Sequence, residues 1–242
     1  MGAVRAKTPG DGLRFETKYL VDPSVRVAVW YDLLSLMEAD SHQDASSSGY
    51  GVESLYFDTP RFAHYRHKID GLPRRVKYRI RRYSREPSML RFEAKEKLFD
   101  RIRKRRAVLE KDEYQAIIDG RILREDSLVL NTFAMERARC SLRPCAIVTY
   151  RRQAFVYRCD ASVRVTLDTH LQAQHAASFE RPRSTLCPVL PPGQSILELK
   201  WHEGLPHWLQ TIVRKYGLRN LTLSKYCMGM EALMRRGAIP YA

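Results

Sequence analysis

The chain has 242 residues, 44% of them hydrophobic, which is enough to bury a real core and excludes a chain disordered throughout. Lysine and arginine number 42 against 27 acids, leaving +15 at neutral pH. That balance suits polyanionic partners: nucleic acid, polyphosphate, nucleotides or an anionic membrane surface. No apolar run approaches the roughly 20 residues of a membrane helix. The N-terminus, MGAVRAKTPGDG, lacks the apolar segment of a signal peptide, and Ala6 breaks the myristoylation pattern that Gly2 would begin. Cys140, Cys145, Cys159, Cys187 and Cys227 form no CxxC pair and are odd in number, which predicts reduced thiols in a cytoplasmic protein.

Residues 1–12 read as a loose tail and 13–242 as a single domain. RFETKYLV (Arg14–Val21) alternates as a strand, with Arg14, Glu16 and Lys18 on one side and Phe15, Thr17 and Tyr19 on the other. Asp22-Pro23-Ser24 then starts a helix whose packing face is Val27, Trp30, Leu33, Leu34 and Met37. Ser41–Gly51 is a polar loop, VESLYFDT a strand, and Thr59-Pro60 the start of a short helix with proline in first position.

From Arg74 to Lys97 two strands meet at a turn over Ser84–Ser88. Arg75, Lys77, Arg79 and Arg81 share one face of the first, and Arg91, Glu93, Lys95 and Lys97 one face of the second. Val76, Tyr78, Ile80, Phe92 and Ala94 take the opposite faces. Like charge at this density repels, so the face is either solvated or grips a polyanion. The basic run DRIRKRR within Leu98–Leu109 carries the same two readings, a solvated loop or strand end against a phosphate contact.

Glu110–Asp119, ended by Gly120, and Asn131–Leu142 are predicted helices. Cys145–Val156 and Ser162–Asp168 are strands, the second setting Arg164, Thr166 and Asp168 against Val163, Val165 and Leu167. A proline-rich loop over Ser178–Gly193 leads to the strand SILELKW (Ser195–Trp201), with Glu198 and Lys200 on one face. Pro206–Tyr216 is a helix ended by Gly217, and Ser224 caps a last helix that stops at Gly237.

Six or more strands thus share one habit, apolar on one side and charged on the other, with helices between them that need a surface to pack on. The economical arrangement is an α+β fold: a closed antiparallel β-barrel of about eight strands, apolar faces outward beneath flanking helices and charged faces inward. An interior of cations needs partners. Glu16, Glu93, Asp168 and Glu198 supply part of the balance, which leaves room for phosphate groups and a divalent metal. There is no Walker A loop, GxGxxG or GxSxG, which argues against P-loop kinases, Rossmann enzymes and α/β-hydrolases, and the seven histidines, without HExxH or other ligand spacing, read as surface or core residues.

RFETKY, ESLYFDT, KYRIRRY, FEAKEK, YRRQAF, VRVTLD, LELK and SKY, in that order between about Arg14 and Arg236, resemble the VTC domain. That is the polyphosphate polymerase domain of the vacuolar transporter chaperone complex, one of the triphosphate tunnel metalloenzymes alongside the CYTH group. The resemblance implies phosphate binding by Lys18, Arg79, Arg81, Lys95, Arg152, Arg164, Lys200 and Lys225. Arg79, Arg81, Lys95, Arg152 and Arg164 would act on the transferring group. It also implies Mn²⁺ or Mg²⁺ on Glu198, with Glu16, Glu93 and Asp168 as secondary ligands. Arg14 stands where the CYTH signature ExExK has its first acid, as in VTC-type members, which argues against a thiamine triphosphatase or an adenylate cyclase. The SPX domain and membrane helices of the eukaryotic complex have no counterpart here. The implied activity is metal-dependent transfer of the terminal phosphoryl group of ATP onto polyphosphate. A triphosphatase of the same fold and a non-catalytic polyanion-binding module are the alternatives. Nucleic acid suits the pattern less, because the aromatics fall on core faces rather than among the basic rows.

Overall fold

The computed structural model describes residues 15–40, 49–99, 101–121 and 127–241. The expected tail over 1–12, Arg14 and positions 41–48 of the serine-rich loop lie outside them. Among the described residues ten strands occur: β1 (Phe15–Val21), β2 (Met37–Ala39), β3 (Tyr50–Asp58), β4 (Arg74–Tyr83), β5 (Glu86–Leu98), β6 (Arg101–Leu109), β7 (Arg143–Tyr157), β8 (Asp160–His175), β9 (Cys187–Pro188) and β10 (Ser195–Trp201). The helices are α1 (Pro23–Leu34), α2 (Ala63–Ile69), α3 (Lys111–Asp119), α4 (Leu128–Cys140), α5 (His207–Lys215) and α6 (Lys225–Arg235). The strands form one antiparallel sheet in the order β1-β10-β8-β7-β3-β4-β5-β6, with β2 beside β7 and β9 beside β8. Among the described residues no helix is long and apolar enough to cross a membrane.

Alternation of side chains decides which face each strand buries. Tyr78, Ile80, Phe92 and Ala94 pack with Ile117, Leu130 and Phe133 under α3 and α4. Tyr19, Val165, Leu197 and Leu199 pack with Val29, Leu33 and Leu209 under α1 and α5. These convex faces are covered as the pattern predicts. The last helix departs from it, because α6 lies on the concave side, with Tyr226, Met230 and Leu233 against Val148, Tyr150 and Ala173. Gly229 permits the approach: a Cβ there would stand 3.0 Å from Cγ2 of Val148 and 3.2 Å from Cβ of Ala173.

The expected closed barrel is corrected to a curled, open sheet, since no ladder joins β1 to β6 among the described residues. The reason lies at the free edge of β1. Leu221 donates its N–H to the carbonyl of Lys18 (2.8 Å), and the Lys18 N–H goes to Oδ1 of Asn220 (3.2 Å). A loop therefore uses edge groups that a closing strand would need.

Several local expectations change as well. The buried face of α1 is Val29 and Leu33, with Val25 and Trp30 packed beside them. Val27 and Leu34 are exposed, and Met37 opens β2 instead of ending the helix. The hairpin turn is only Ser84-Arg85, so Glu86–Ser88 belongs to β5. RIRKRR, residues 101–106, becomes part of β6, paired along β5 from Leu98↔Arg101 to Leu90↔Leu109. Pro60 does not open a helix; α2 starts at Ala63, whose N–H donates to Oγ1 of Thr59 (2.9 Å).

Asp58, fully buried, ties these parts together. Its carboxylate accepts the N–H groups of Thr59 (2.6 Å), His64 (2.9 Å) and Tyr65 (2.9 Å) and the hydroxyl of Tyr226 (2.5 Å). It thus satisfies the orphan donors at the start of α2 and fixes α6 to the sheet. An Asp58→Ala variant strands these donors and loses about 3 kcal/mol of stability, measured as a lower urea midpoint with an unchanged slope.

Candidate functional site

The charged half of the concave face begins where α6 ends its contact. β4 and β5 set Arg79 opposite Glu93 and Lys77 opposite Lys95, while β10 sets Glu198 between Lys18 on β1 and Thr166 on β8. A shift of register between β7 and β8 near Tyr150 puts one extra residue into β8, where His170 takes a left-handed φ of 52°. This bulge reverses the facing of β8, so Leu171 and Ala173 line the apolar half and Asp168 meets Arg152 in the charged half.

Two charged centres result. In the first, Arg79 donates Nε to Glu93 (2.7 Å) and NH1 to the Tyr56 hydroxyl (3.2 Å). Lys104 reaches the other oxygen of Glu93 (2.8 Å), and Arg81 donates to Ser54 (3.1 Å). In the second, Arg152 holds Asp168 with both arms (2.6 and 2.7 Å) and lies 4.0 Å from Glu198. Lys225, in the first turn of α6, reaches Asp168 (2.7 Å) and approaches Glu198 (3.9 Å), and Lys200 is ion-paired with Glu198. The Tyr150 ring lies 5.2 Å from the Arg152 guanidinium and 5.1 Å from the Lys225 ammonium.

Between the two centres stand Lys18, paired with Glu16, and Lys95, for which no ion pair or hydrogen bond occurs among the described residues. Lys95 feels the charges of Glu16, Lys18 and Glu198, which lie far from it along the sheet; only the curl brings them across the cavity. Lys77 donates to Oγ of Ser224, the cap of α6 (2.6 Å). Among the described residues nine cations (Lys18, Lys77, Arg79, Arg81, Lys95, Lys104, Arg152, Lys200, Lys225) face four carboxylates (Glu16, Glu93, Asp168, Glu198), with the more exposed Arg106 at the rim 3.6 Å from Glu93.

The imbalance appears in the proton affinities. Burial alone would raise Glu198 and Asp168. Lys200 and Lys225 outweigh it at the first and Arg152 and Lys225 at the second, so both are held below the usual carboxylate range. Burial and Arg79 push Lys104 down from 10.5 to about 7, against the pull of Glu93. Burial brings Lys77 to about 8. Burial would raise Tyr56, yet Arg79 and Arg81 draw it below its ordinary value.

Of the residues singled out in the sequence, Lys18, Arg79, Arg81, Lys95, Arg152, Lys200, Lys225 and the four acids share this cavity. Arg164 lies opposite Lys200 on the same face, but its guanidinium turns to the buried Asp40. Lys77, Lys104 and Tyr56 were not singled out. For Lys77 the signal was present, since it alternates with Arg79 and Arg81.

As a metal ligand set the cavity offers oxygen only. No cluster of three or more His, Cys, Asp or Glu exists among the described residues. Glu198 has two acidic diagonal neighbours on adjacent strands, Glu16 on β1 and Asp168 on β8. Two carboxylates fit a hard ion such as Mg²⁺ or Mn²⁺ that takes its other ligands from water and phosphate, and they do not fit a closed zinc site.

The sequence profile of the VTC domain matches residues 13–234. No curated protein matches in sequence. In structure the chain is similar to a proposed adenylate cyclase from Bacillus halodurans, with a TM-score of 0.53 at 13% identity over 88% of this chain and 94% of that one. A proposed adenylate cyclase from Vibrio parahaemolyticus gives 0.49 at 11% identity over 90% and 97%. A Pyrococcus horikoshii protein gives 0.49 at 11% over 90% and 99%. At 13% identity the first of these likenesses is one of fold alone.

Lys104 loses its proton near 7 when folded and near 10.5 when unfolded. Between those values the unfolded chain binds more protons, so stability of the free protein rises with pH across this window. Affinity for an anion runs the other way and falls as Lys104 and then Lys77 discharge. Calorimetric titration of tripolyphosphate between about pH 6 and 9 shows this decline, and Lys104→Met removes its lower-pH part.

Proposed function

The chain belongs to the VTC domain family, and we propose that it moves the terminal phosphoryl group of ATP onto a growing polyphosphate chain held in the cationic cavity. The observation that carries this reading is the excess of nine cations over four carboxylates among the described residues of one concave surface. Such an excess is costly in a free protein and is relieved by a string of phosphates.

Phosphoryl transfer needs positioning and charge stabilisation more than covalent help. Arg79 and Arg152 are each fixed by a carboxylate, so their forks keep one orientation. Arg81, Lys95, Lys18, Lys200 and Lys225 extend the cationic path, and Arg164 serves its outer end if it exchanges Asp40 for phosphate. Glu198, with Glu16 beside it, would hold the divalent ion, which when bound neutralises charge on the transferring oxygens. The acceptor is a phosphate oxygen that is already ionised, so this reaction requires no strong base. ATP as donor and five free thiols agree with a cytoplasmic site of action.

One observation favours a second reading. A lysine that titrates near 7, as Lys104 does, can take a proton from water, which a triphosphatase of this fold would need.

Incubation with ATP and Mn²⁺ separates the two. Long phosphate chains support the polymerase, and orthophosphate lost on Lys104→Met supports the hydrolase. Glu198→Gln abolishes either turnover, and Arg152→Ala lowers kcat by about a hundredfold or more. Turnover unchanged in both variants contradicts either reading.

A further inference from the structure

At the end of the sheet where β4 begins and β5 passes to β6, large apolar side chains stand in water. Phe99 is 59% exposed and Ile102 58%, and Ile69, Leu72 and Leu98 are exposed with them. They gather at this one end of the sheet from both sides, Leu98 in the row of Phe92 and Ala94 on the convex face and Ile102 in the row of Lys104 on the concave face. The Phe99 N–H donates to the carbonyl of Pro73 (2.8 Å), Leu98 pairs with Arg74, Ile102 pairs with Lys97, and Arg75 donates to the carbonyl of Leu72 (2.7 Å). Phe99 takes a left-handed φ of 53°, a region disfavoured for a bulky side chain, so the fold holds this ring outward against its local preference. Folded monomers seldom leave such a cluster uncovered without a use for it.

The surroundings indicate what covers it. Among the described side chains of 68–75 and 97–103, Lys68, Arg74, Arg75, Lys97 and Arg103 stand against the single acid Asp70. Arg74 and Arg103 are exposed, and the Arg74 guanidinium lies 6.0 Å from the centre of the Phe99 ring. A second copy of this chain would meet the patch with the same cations and be repelled. Apolar side chains rimmed by lysine and arginine match the boundary between acyl chains and anionic headgroups. We infer that this tip docks on a bilayer containing anionic lipid, with Phe99, Ile102, Leu98 and Leu72 entering the acyl boundary and Arg74, Arg75 and Lys97 meeting headgroup phosphates. The inference does not depend on the reaction carried out in the cavity.

Co-sedimentation with vesicles tests it, using the full chain with tripolyphosphate in excess to occupy the cavity. The protein binds vesicles of phosphatidylcholine mixed with phosphatidylglycerol and does not bind phosphatidylcholine alone. A Phe99→Ser, Ile102→Ser double variant keeps its charge and melting temperature but binds about tenfold more weakly or less. In a Phe99→Trp variant the added indole emission moves to shorter wavelength on the mixed vesicles. Failure of the parent to bind mixed vesicles overturns the inference and leaves the patch to an acidic protein partner. Equal binding by parent and double variant also overturns it, since net charge alone would then account for the attraction.

Discussion

Mutual repulsion among the cations of the concave face is the constraint that the rest of the structure answers. Two like charges about 4 Å apart cost ~4 kcal/mol at an effective dielectric near 20, and a whole domain is stable by only about 5–15 kcal/mol. A few uncompensated contacts of that kind would consume the margin. The four buried or half-buried acids are placed accordingly: Glu93 between Arg79 and Lys104, Asp168 between Arg152 and Lys225, Glu198 among Lys200, Lys225 and Arg152, Glu16 beside Lys18. Burial draws two of the lysines down as well, Lys77 to about 8 and, with the repulsion of Arg79 added, Lys104 to about 7.

Architecture and chemistry meet in two devices. The bulge in β8 switches that strand from an apolar inward face to a charged one within a few residues. Helix α6 then fills only the apolar portion, pinned through Tyr226 and Asp58, and delivers Lys225 and Ser224 to the charged portion. The same helix therefore closes a core and completes a site. Its N-terminal turn adds the favourable end of a helix dipole beside the carboxylates of Asp168 and Glu198.

Much of this was legible in the alternation of Arg75 to Arg81, of Arg91 to Lys97 and of SILELKW, because a period of two reports directly on which face a side chain takes. The family was legible from eight short motifs in order. What was not legible depends on contacts distant in sequence. Helical spacing from Val27 to Met37 suggested one packing face; Trp30 and Leu33 keep to it, but packing against Phe155 and Val165 adds Val29 and leaves Val27 and Leu34 exposed. Arg164 alternates with Asp168 and so reads as a cavity residue, yet its guanidinium is claimed by Asp40, which follows a three-residue strand without pattern. Lys104 lay in a run too uniformly basic to reveal its facing; only pairing with Lys95 shows it. Closure of the sheet could not be read either, since it turns on whether the edge of β1 meets a strand or the loop around Asn220.

The direct test of the account is the melting temperature of the free protein against tripolyphosphate, with sulfate at matched ionic strength as control. If the cavity is a strained cationic surface awaiting a chain of phosphates, tripolyphosphate raises the midpoint by several degrees and sulfate does so far less. The gain falls when Arg152 or Arg79 is replaced by alanine. Equal responses to the two anions, or no response, would mean that the buried cations are fully served by their own carboxylates and that the surface is not built for phosphate.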